Sequence, residues 1–586
     1  MIYKLNINRS NTVFSYVIVL LYIFAFSTQV HAASTTHNLY DTYEIEVKTK
    51  SSINNPFDSL TINLQANFLS PTGIKYTSYG FYDGKSKDRM VWKIRFSPNL
   101  PGLWTYTLTS NNALFNLSNG EVFVSTKPAN KLIHGHIKVD PNYRRTLIHD
   151  DGTPHYWIGG KWISARDYGP RTKSYIRNSG IDPSGVTFGY KSNSKLIQYL
   201  ELLKKYKHNG ILLKTALYPL EKDNISWDLE WIHRAEWLVR ESLNRGINVQ
   251  INIFDTWSRD KNHWFQNNTE GSKQPFNIWT NENDHLKENY IKNLVSRFAS
   301  YPNVYWELGN EMEHRPNNGN AFVELANQKY LPWIRKYDPY NLPIGLSEKI
   351  WEKANVDIGF LHQTDESPDS NILKPVIMNE LVSYKLQPTL FQKIKRKIFG
   401  NQWHQGLWHD SAINNSELRF AYRKSFWSVF TKGGTGSSEA TWLNIDKPFS
   451  TALINVMRDH MFLRETIDKY TYYINKTSFL TNFIRNSTIK NFTRGVTNKL
   501  YFTYFEGGNK VEVHENYIGL NLSSGKYKVT WLNPKTGKVT KSTVIDTYKD
   551  KLTKIQQPNF IEDIVLIVQS LEESIKYNVN NSMKLY

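Results

Sequence analysis

Two glutamates in this 586-residue chain each close a short apolar run, one residue after an asparagine. Glu311 ends Trp306-Glu307-Leu308-Gly309-Asn310-Glu311, and Glu380 ends Val376-Ile377-Met378-Asn379-Glu380. A carboxyl group can give a proton, take one, or attack an electrophilic carbon, and two facing carboxyls can divide these tasks. Held about 5–5.5 Å apart across a glycosidic bond, one protonates the leaving oxygen while the other attacks the anomeric carbon. The Asn-Glu dipeptide alone carries no weight, because it recurs at Asn281-Glu282. The strand-like run before each glutamate is the distinguishing feature. The other reading of either residue is a helix-capping or salt-bridged rim glutamate. Asp255, Glu313, Glu348, Asp365 and Glu439 stand near comparable run ends and are the substitutes, whereas Glu307, inside its run, reads as structural. No His-Glu-x-x-His occurs, which removes that route to zinc hydrolysis. The chain has no cysteine, which excludes disulfides, thiolate metal sites, a cysteine nucleophile and a lipoprotein anchor. No cofactor and no metal are expected.

The elements that must position these carboxyls alternate. Strand patterns at 156–162, 211–217, 249–254, 304–308, 344–346, 358–361, 376–378 and 437–442 are interleaved with helical periodicity at 194–207, 229–245, 284–299, 320–337 and 415–431. Eight strands with mostly helical crossovers predict a (β/α)₈ TIM barrel over 128–475, with its site at the strands' C-terminal ends. Glu311 then ends strand four and Glu380 strand seven. A doubly wound open sheet competes, but no glycine-rich phosphate turn follows the first strand.

On either side the rhythm is all strand and turn. Residues 38–127 carry short alternating runs at 43–47, 60–64, 91–96, 103–108 and 121–124, which predicts a β-sandwich. A second β-sandwich is expected over 480–570, followed by a loosely ordered tail at 571–586. Residues 1–32 have the pattern of a signal peptide: Lys4 and Arg9, an apolar run over 13–26, then Val30-His31-Ala32. That run is short for a membrane span, so an exported protein without a stable membrane anchor is expected, periplasmic or extracellular.

At strands four and seven the chain resembles the large clan A of retaining (β/α)₈ glycoside hydrolases. The resemblance implies Glu311 as catalytic acid/base, Glu380 as nucleophile and Asn310 as a substrate contact. Other positions match less well. Lys214 stands on strand two where the clan has arginine, keeping the charge but not the planar fork. Phe254-Asp255-Thr256-Trp257 stands where a histidine is usual after strand three. His362 is present on strand six but is followed by Gln363; it reads as a subsite residue or as a packed rim histidine. Trp442, at strand eight, reads as a sugar platform or as core. The flanks sharpen the resemblance. Gly80-Phe81-Tyr82-Asp83-Gly84 and Phe96-Ser97-Pro98 resemble an uncharacterised N-terminal domain that precedes such barrels, and Trp531-Leu532-Asn533-Pro534-Lys535-Thr536-Gly537 resembles a C-terminal β-domain labelled collagen-binding in such proteins.

The substrate is harder to read. The formal charge is +19, and about +17 without the leader, which favours anionic partners. Lys161, Arg166, Arg171 and Lys173 follow strand one, Arg259 and Lys261 strand three, Arg315 strand four and Lys349 strand five. Trp162, Tyr168, Trp257 and Trp264 interleave with them, and the long segment 381–410 adds Tyr384, Trp403 and Trp408. Such a cleft suits a sulfated or uronic-acid poly- or oligosaccharide, by charge pairing and ring stacking. A solvated basic rim is the open alternative. A nucleic-acid partner does not fit a leader-bearing barrel, and the rival function is a non-catalytic carbohydrate-binding or adhesion protein on a dead barrel. Oligomeric state is not legible.

Overall fold

Eight parallel strands in the middle of the chain close on themselves in a computed structural model. It describes residues 36–164, 186–187, 193–214, 220, 225–255, 277–314, 319–363, 368, 373–382, 416–438 and 451–572, apart from positions 116, 509, 510, 515 and 550. The barrel strands are β1 (Trp157–Ser164), β2 (Gly210–Lys214), β3 (Asn248–Asp255), β4 (Val304–Asn310), β5 (Ile344–Ser347), β6 (Ile358–Gln363), β7 (Val376–Val382) and β8 (Gly436–Ser438). Each pairs with the next, and β8 returns to β1 through Trp157↔Gly436, Ile158↔Ser437 and Gly159↔Ser438. The expected barrel is therefore present, strand for strand.

Its interior is filled from the walls and from below. Trp157, Leu212, Tyr305, Ile358, Phe360 and Ile377 pack there against Ile137 and Leu147, which come from a small antiparallel sheet (Ile137–Val139, Leu147–His149, Pro154–His155) preceding β1. Trp157 needs room beside β2: a Cβ at Gly210 would fall 2.0 Å from its Nε1. Outside run the crossover helices Asn193–Lys205, Leu229–Leu243, Asp284–Phe298 and Ser416–Thr431. The Asp228 carboxylate accepts from the Trp231 backbone N–H and so starts the second of them. The run expected as one helix over 320–337 is broken by a π turn at Ala326–Tyr330. A further helix, Thr451–Lys469, was not legible as a separate element and packs against Ser416–Thr431.

The N-terminal region folds as one six-stranded antiparallel sheet bent into a sandwich. Lys75–Ser86 makes the bend: its first half pairs with Leu64–Leu69 and its second with Arg89–Phe96. At the crossover a Cβ on Gly80 would meet Leu64 Cδ2 at 2.8 Å. The two halves then face each other, with Phe68 stacked on Phe96 at 4.1 Å between ring centroids. The strand expected over 60–64 is not there, and Leu64–Leu69 takes its place. Asp58 Oδ1 accepts from the N–H groups of Leu60 and Thr61, holding that stretch as a turn. The C-terminal region is a second sandwich, a six-stranded sheet from Ser478–Leu480 to Asp563–Ser570 covered by smaller sheets over Trp531, Phe505 and Leu566. Residues 1–35 and 573–586, including the leader and most of the expected tail, lie outside the described residues.

Charged side chains lock the first sandwich to the barrel. Buried Arg95 donates to Glu236 at 2.7 and 3.1 Å, and Arg297 donates to Glu236 at 2.8 Å and to Asp83 at 2.7 Å. Burial alone would raise the Glu236 carboxyl, but Arg95 and Arg297 hold it down at about 2. Its contribution to stability is thus present above about pH 4.5 and lost as pH falls towards about 2. Glu236→Gln leaves two buried guanidinium groups undercompensated. In urea denaturation it should destabilise the protein by about 3 kcal/mol at neutral pH and flatten the acid limb of the stability curve. An unchanged acid limb would refute the role given to Glu236.

Candidate active site

Strand β4 carries the barrel's central polar residue as well as its terminal one. Glu307, fully buried, accepts from Asn252 on β3 at 3.1 Å and from Asn379 on β7 at 3.4 Å. It therefore ties opposite walls together inside the barrel, as its place within the run suggested. Asn310 ends β4, and Glu311 follows it with a left-handed backbone, φ 54°. Such a conformation costs of order 1 kcal/mol for a non-glycine residue and persists only when its surroundings hold it. Ser347, the last residue of β5, provides the hold. The Glu311 N–H donates to Ser347 Oγ at 2.6 Å, and that hydroxyl donates to Gly309 O at 3.2 Å.

Glu380 is positioned by an irregularity in the sheet. Between Leu361↔Met378 and Gln363↔Val382 the register slips, so three residues of β6 face five of β7. A regular strand would send Asn379 and Glu380 to opposite faces. The bulge at 379–381 lets Asn379 reach Glu307, and it sets Glu380 across from His362 at the middle of the same mismatch. Expected to end near Met378, β7 runs on to Val382, so Glu380 lies within the strand on its bulge.

His362, almost fully buried on β6, faces Glu311 and Glu348. Its Nδ1 lies 3.3 Å from Glu311 Oε1 and 3.8 Å from Glu348 Oε1. Burial would depress the imidazole, but the hydrogen bond to Glu311 and the charges of Glu380, Glu311 and Glu348 push it up to about 10. At neutral pH it is an imidazolium, donating to Glu311. Its ring is both packed and in contact with Glu311, which agrees with either of its two sequence readings. Glu311, Glu348 and His362 have the types and spacing to ligate a cation. The same three side chains also pair with one another directly, His362 Nδ1 facing both carboxylates. The similar group Asp83, His233 and Glu236 is occupied by Arg95, Arg297 and Lys93.

The remaining expected contacts divide. Asn310 is buried beside Glu311, at the mouth. Lys161 and Lys214 lie on β1 and β2, and Asp255 and Gln363 end β3 and β6, but their side chains are outside the described residues. Trp257, Trp442, Asp365, Glu439 and most of segment 381–410 are outside them altogether. Glu348 was noted only as a substitute carboxylate, and Ser347 not at all. A serine-glutamate pair at a strand end was the only signal for them. No helix among the described residues is long and apolar enough to cross a membrane.

Comparison with known proteins agrees with this fold. A Bacteroides vulgatus crystal structure, described as a candidate glycoside hydrolase, aligns with 91% of this chain and 99% of its own at 16% identity and a TM-score of 0.61. A glycoside hydrolase family 5 structure from the same species aligns with 75% of this chain and 94% of its own, at 14% identity and a TM-score of 0.50. At these identities the likeness establishes the fold. No curated protein matches the chain. Residues 36–111 match a domain of unknown function, DUF5060, and residues 182–378 match cellulase, glycosyl hydrolase family 5, a span that includes Glu311 and stops two residues before Glu380. The barrel is thus similar to glycosyl hydrolase family 5 over residues 182–378, and the sandwich before it is similar to DUF5060.

Proposed function

We propose that this chain is an exported retaining glycoside hydrolase acting on an anionic poly- or oligosaccharide, with Glu311 as acid/base and Glu380 as nucleophile. The observation that carries the reading is the placement of Glu311 after β4 and Glu380 on the β7 bulge, with His362 of the intervening β6 in contact with Glu311 and in register with that bulge. In the first step the Glu380 carboxylate attacks the anomeric carbon, the bond to the leaving oxygen breaks, and the Glu311 proton passes to that oxygen. In the second, Glu311 takes a proton from water, whose oxygen displaces Glu380. Asn310, Lys214, Lys161, Trp257 and Trp442 are proposed substrate contacts around this centre, none of them needed for the proton balance.

Two features support an anionic substrate. One is the overall charge of +19 with cations clustered after the barrel strands. The other is a cleft of about 750 Å³ in the C-terminal domain, lined in part by Arg485, Lys549 and Lys551. Export is supported by the leader pattern alone, and the N-terminus of protein collected outside the cytoplasm should be Ala33.

Activity is tested by reducing-end release from a panel of charged and neutral glycans. Wild type should cleave charged glycans, in a salt-sensitive manner. Glu311→Gln should lower kcat/KM by about 10²–10⁴-fold. Glu380→Gln should abolish turnover, and azide should restore Glu380→Gly, yielding a glycosyl azide of inverted configuration. Full activity in both glutamine variants would falsify the assignment; salt-insensitive cleavage of neutral glycans alone would remove the anionic substrate and leave the reaction standing. Ser347→Ala, which removes the hydroxyl holding the Glu311 backbone, should lower kcat by about 10–100-fold with KM little changed. An unaltered kcat would show that Ser347 does not position Glu311.

A further inference from the structure

Glu348 is a third carboxylate at the mouth, and it sits where a glutamate is costly. It follows β5 directly with φ 59° and ψ −172°, a region populated essentially by glycine. It is nonetheless buried, at 1% exposure, with its carboxylate 3.8 Å from His362 Nδ1. Its backbone N–H donates to Phe360 O at 2.9 Å, tying the end of β5 to the strand that carries His362. The residue before it, Ser347, holds the Glu311 backbone. One dipeptide therefore reaches both Glu311 and the ring that Glu311 touches. A buried anion in a strained backbone persists only where its charge offsets something.

We infer that Glu348 is a positioning residue: its carboxylate shares the Nδ1 side of His362 with Glu311 and offsets the imidazolium charge, which otherwise would keep Glu311 ionised and unable to deliver a proton. This rests on reading Glu311 as the acid/base. The charged groups facing His362 include Glu311 after β4, Glu348 after β5 and Glu380 on β7. With Glu311 protonated and Glu380 ionised, the His362–Glu348 couple adds no net charge to the pair that does the chemistry. Without Glu348, the ring 3.3 Å from Glu311 Oε1 has one facing carboxylate fewer to offset its charge, so more of that charge falls on Glu311 and favours its carboxylate form.

The test needs no substrate for its main readout. Histidine-labelled protein is titrated by NMR, with the His362 signal assigned by its loss in His362→Asn. Glu348→Gln should lower the His362 midpoint by about 1–3 pH units, the effect of removing a charge at this distance. The alkaline limb of kcat/KM should move to lower pH with KM little changed, and Glu348→Asp should restore part of both shifts. Because a glutamine variant can fail to fold, Glu348→Gly and Glu348→Ala are compared as well. Both lose the carboxylate, but only glycine relieves the backbone, so Glu348→Gly should have the higher Tm and the same lowered His362 midpoint. A His362 midpoint within a few tenths of wild type in every charge-removing variant overturns the inference, even in an active hydrolase. A lowered midpoint in a protein that cleaves no glycan keeps Glu348's electrostatic role but overturns its catalytic consequence together with the hydrolase reading.

Discussion

Three buried carboxylates bear on a single imidazole, and the mouth of the barrel is organised by what that requires. Glu311, Glu348 and Glu380 are each at most 9% exposed. Burying one uncompensated carboxylate costs several kcal/mol, and ionised neighbours close to it also repel it. The cation that makes the arrangement tenable is His362, held protonated by the same charges that it offsets. Neither side is stable without the other, so the groups must arrive together from four strands whose relative places are set by the closed sheet.

That demand explains where the backbone departs from regularity. Glu311 and Glu348 take positive φ at the ends of adjacent strands, and β7 bulges opposite His362. None of these features is favourable locally. They are held by Ser347, by the Glu348 N–H to Phe360 O, and by Glu307 spanning from Asn252 to Asn379. Beneath them the interior is close-packed, from Trp157 and Tyr305 down to Ile137 and Leu147. A dense floor resists relaxation, so strain at the rim stays where it is.

The same contrast separates what was legible in the sequence from what was not. Barrel strands were readable because they are apolar runs at the right rank, and rank alone brought Glu311 and Glu380 to one rim. His362 was visible but ambiguous, since burial lowers an imidazole and carboxylates raise it; only the distances decide which prevails. The bulge was invisible because it depends on the register of β7 against β6, which no local pattern records. Alternation over 60–64 misled for the opposite reason: Asp58 offers the backbone a turn that hydrophobic period cannot reveal. Glu348 looked like one acidic rim residue among five, and its singular feature, a glycine-like backbone under a glutamate side chain, exists only in three dimensions.

On the proposed reaction, the electrostatics of the cluster also have a simple invariance. Before attack, Glu311 is neutral and Glu380 anionic; afterwards Glu380 is esterified and Glu311 anionic. The charge moves from β7 to β4, but its total does not change, so the His362–Glu348 couple has no proton to gain or lose in either step. His362 faces both ends of that movement, hydrogen-bonded to Glu311 and within electrostatic reach of Glu380. A fixed dipolar couple beside a migrating charge needs no reorganisation as the reaction proceeds, which is the condition under which buried charges contribute most to a rate. The strain at Glu348 is then the structural cost of keeping that couple neutral.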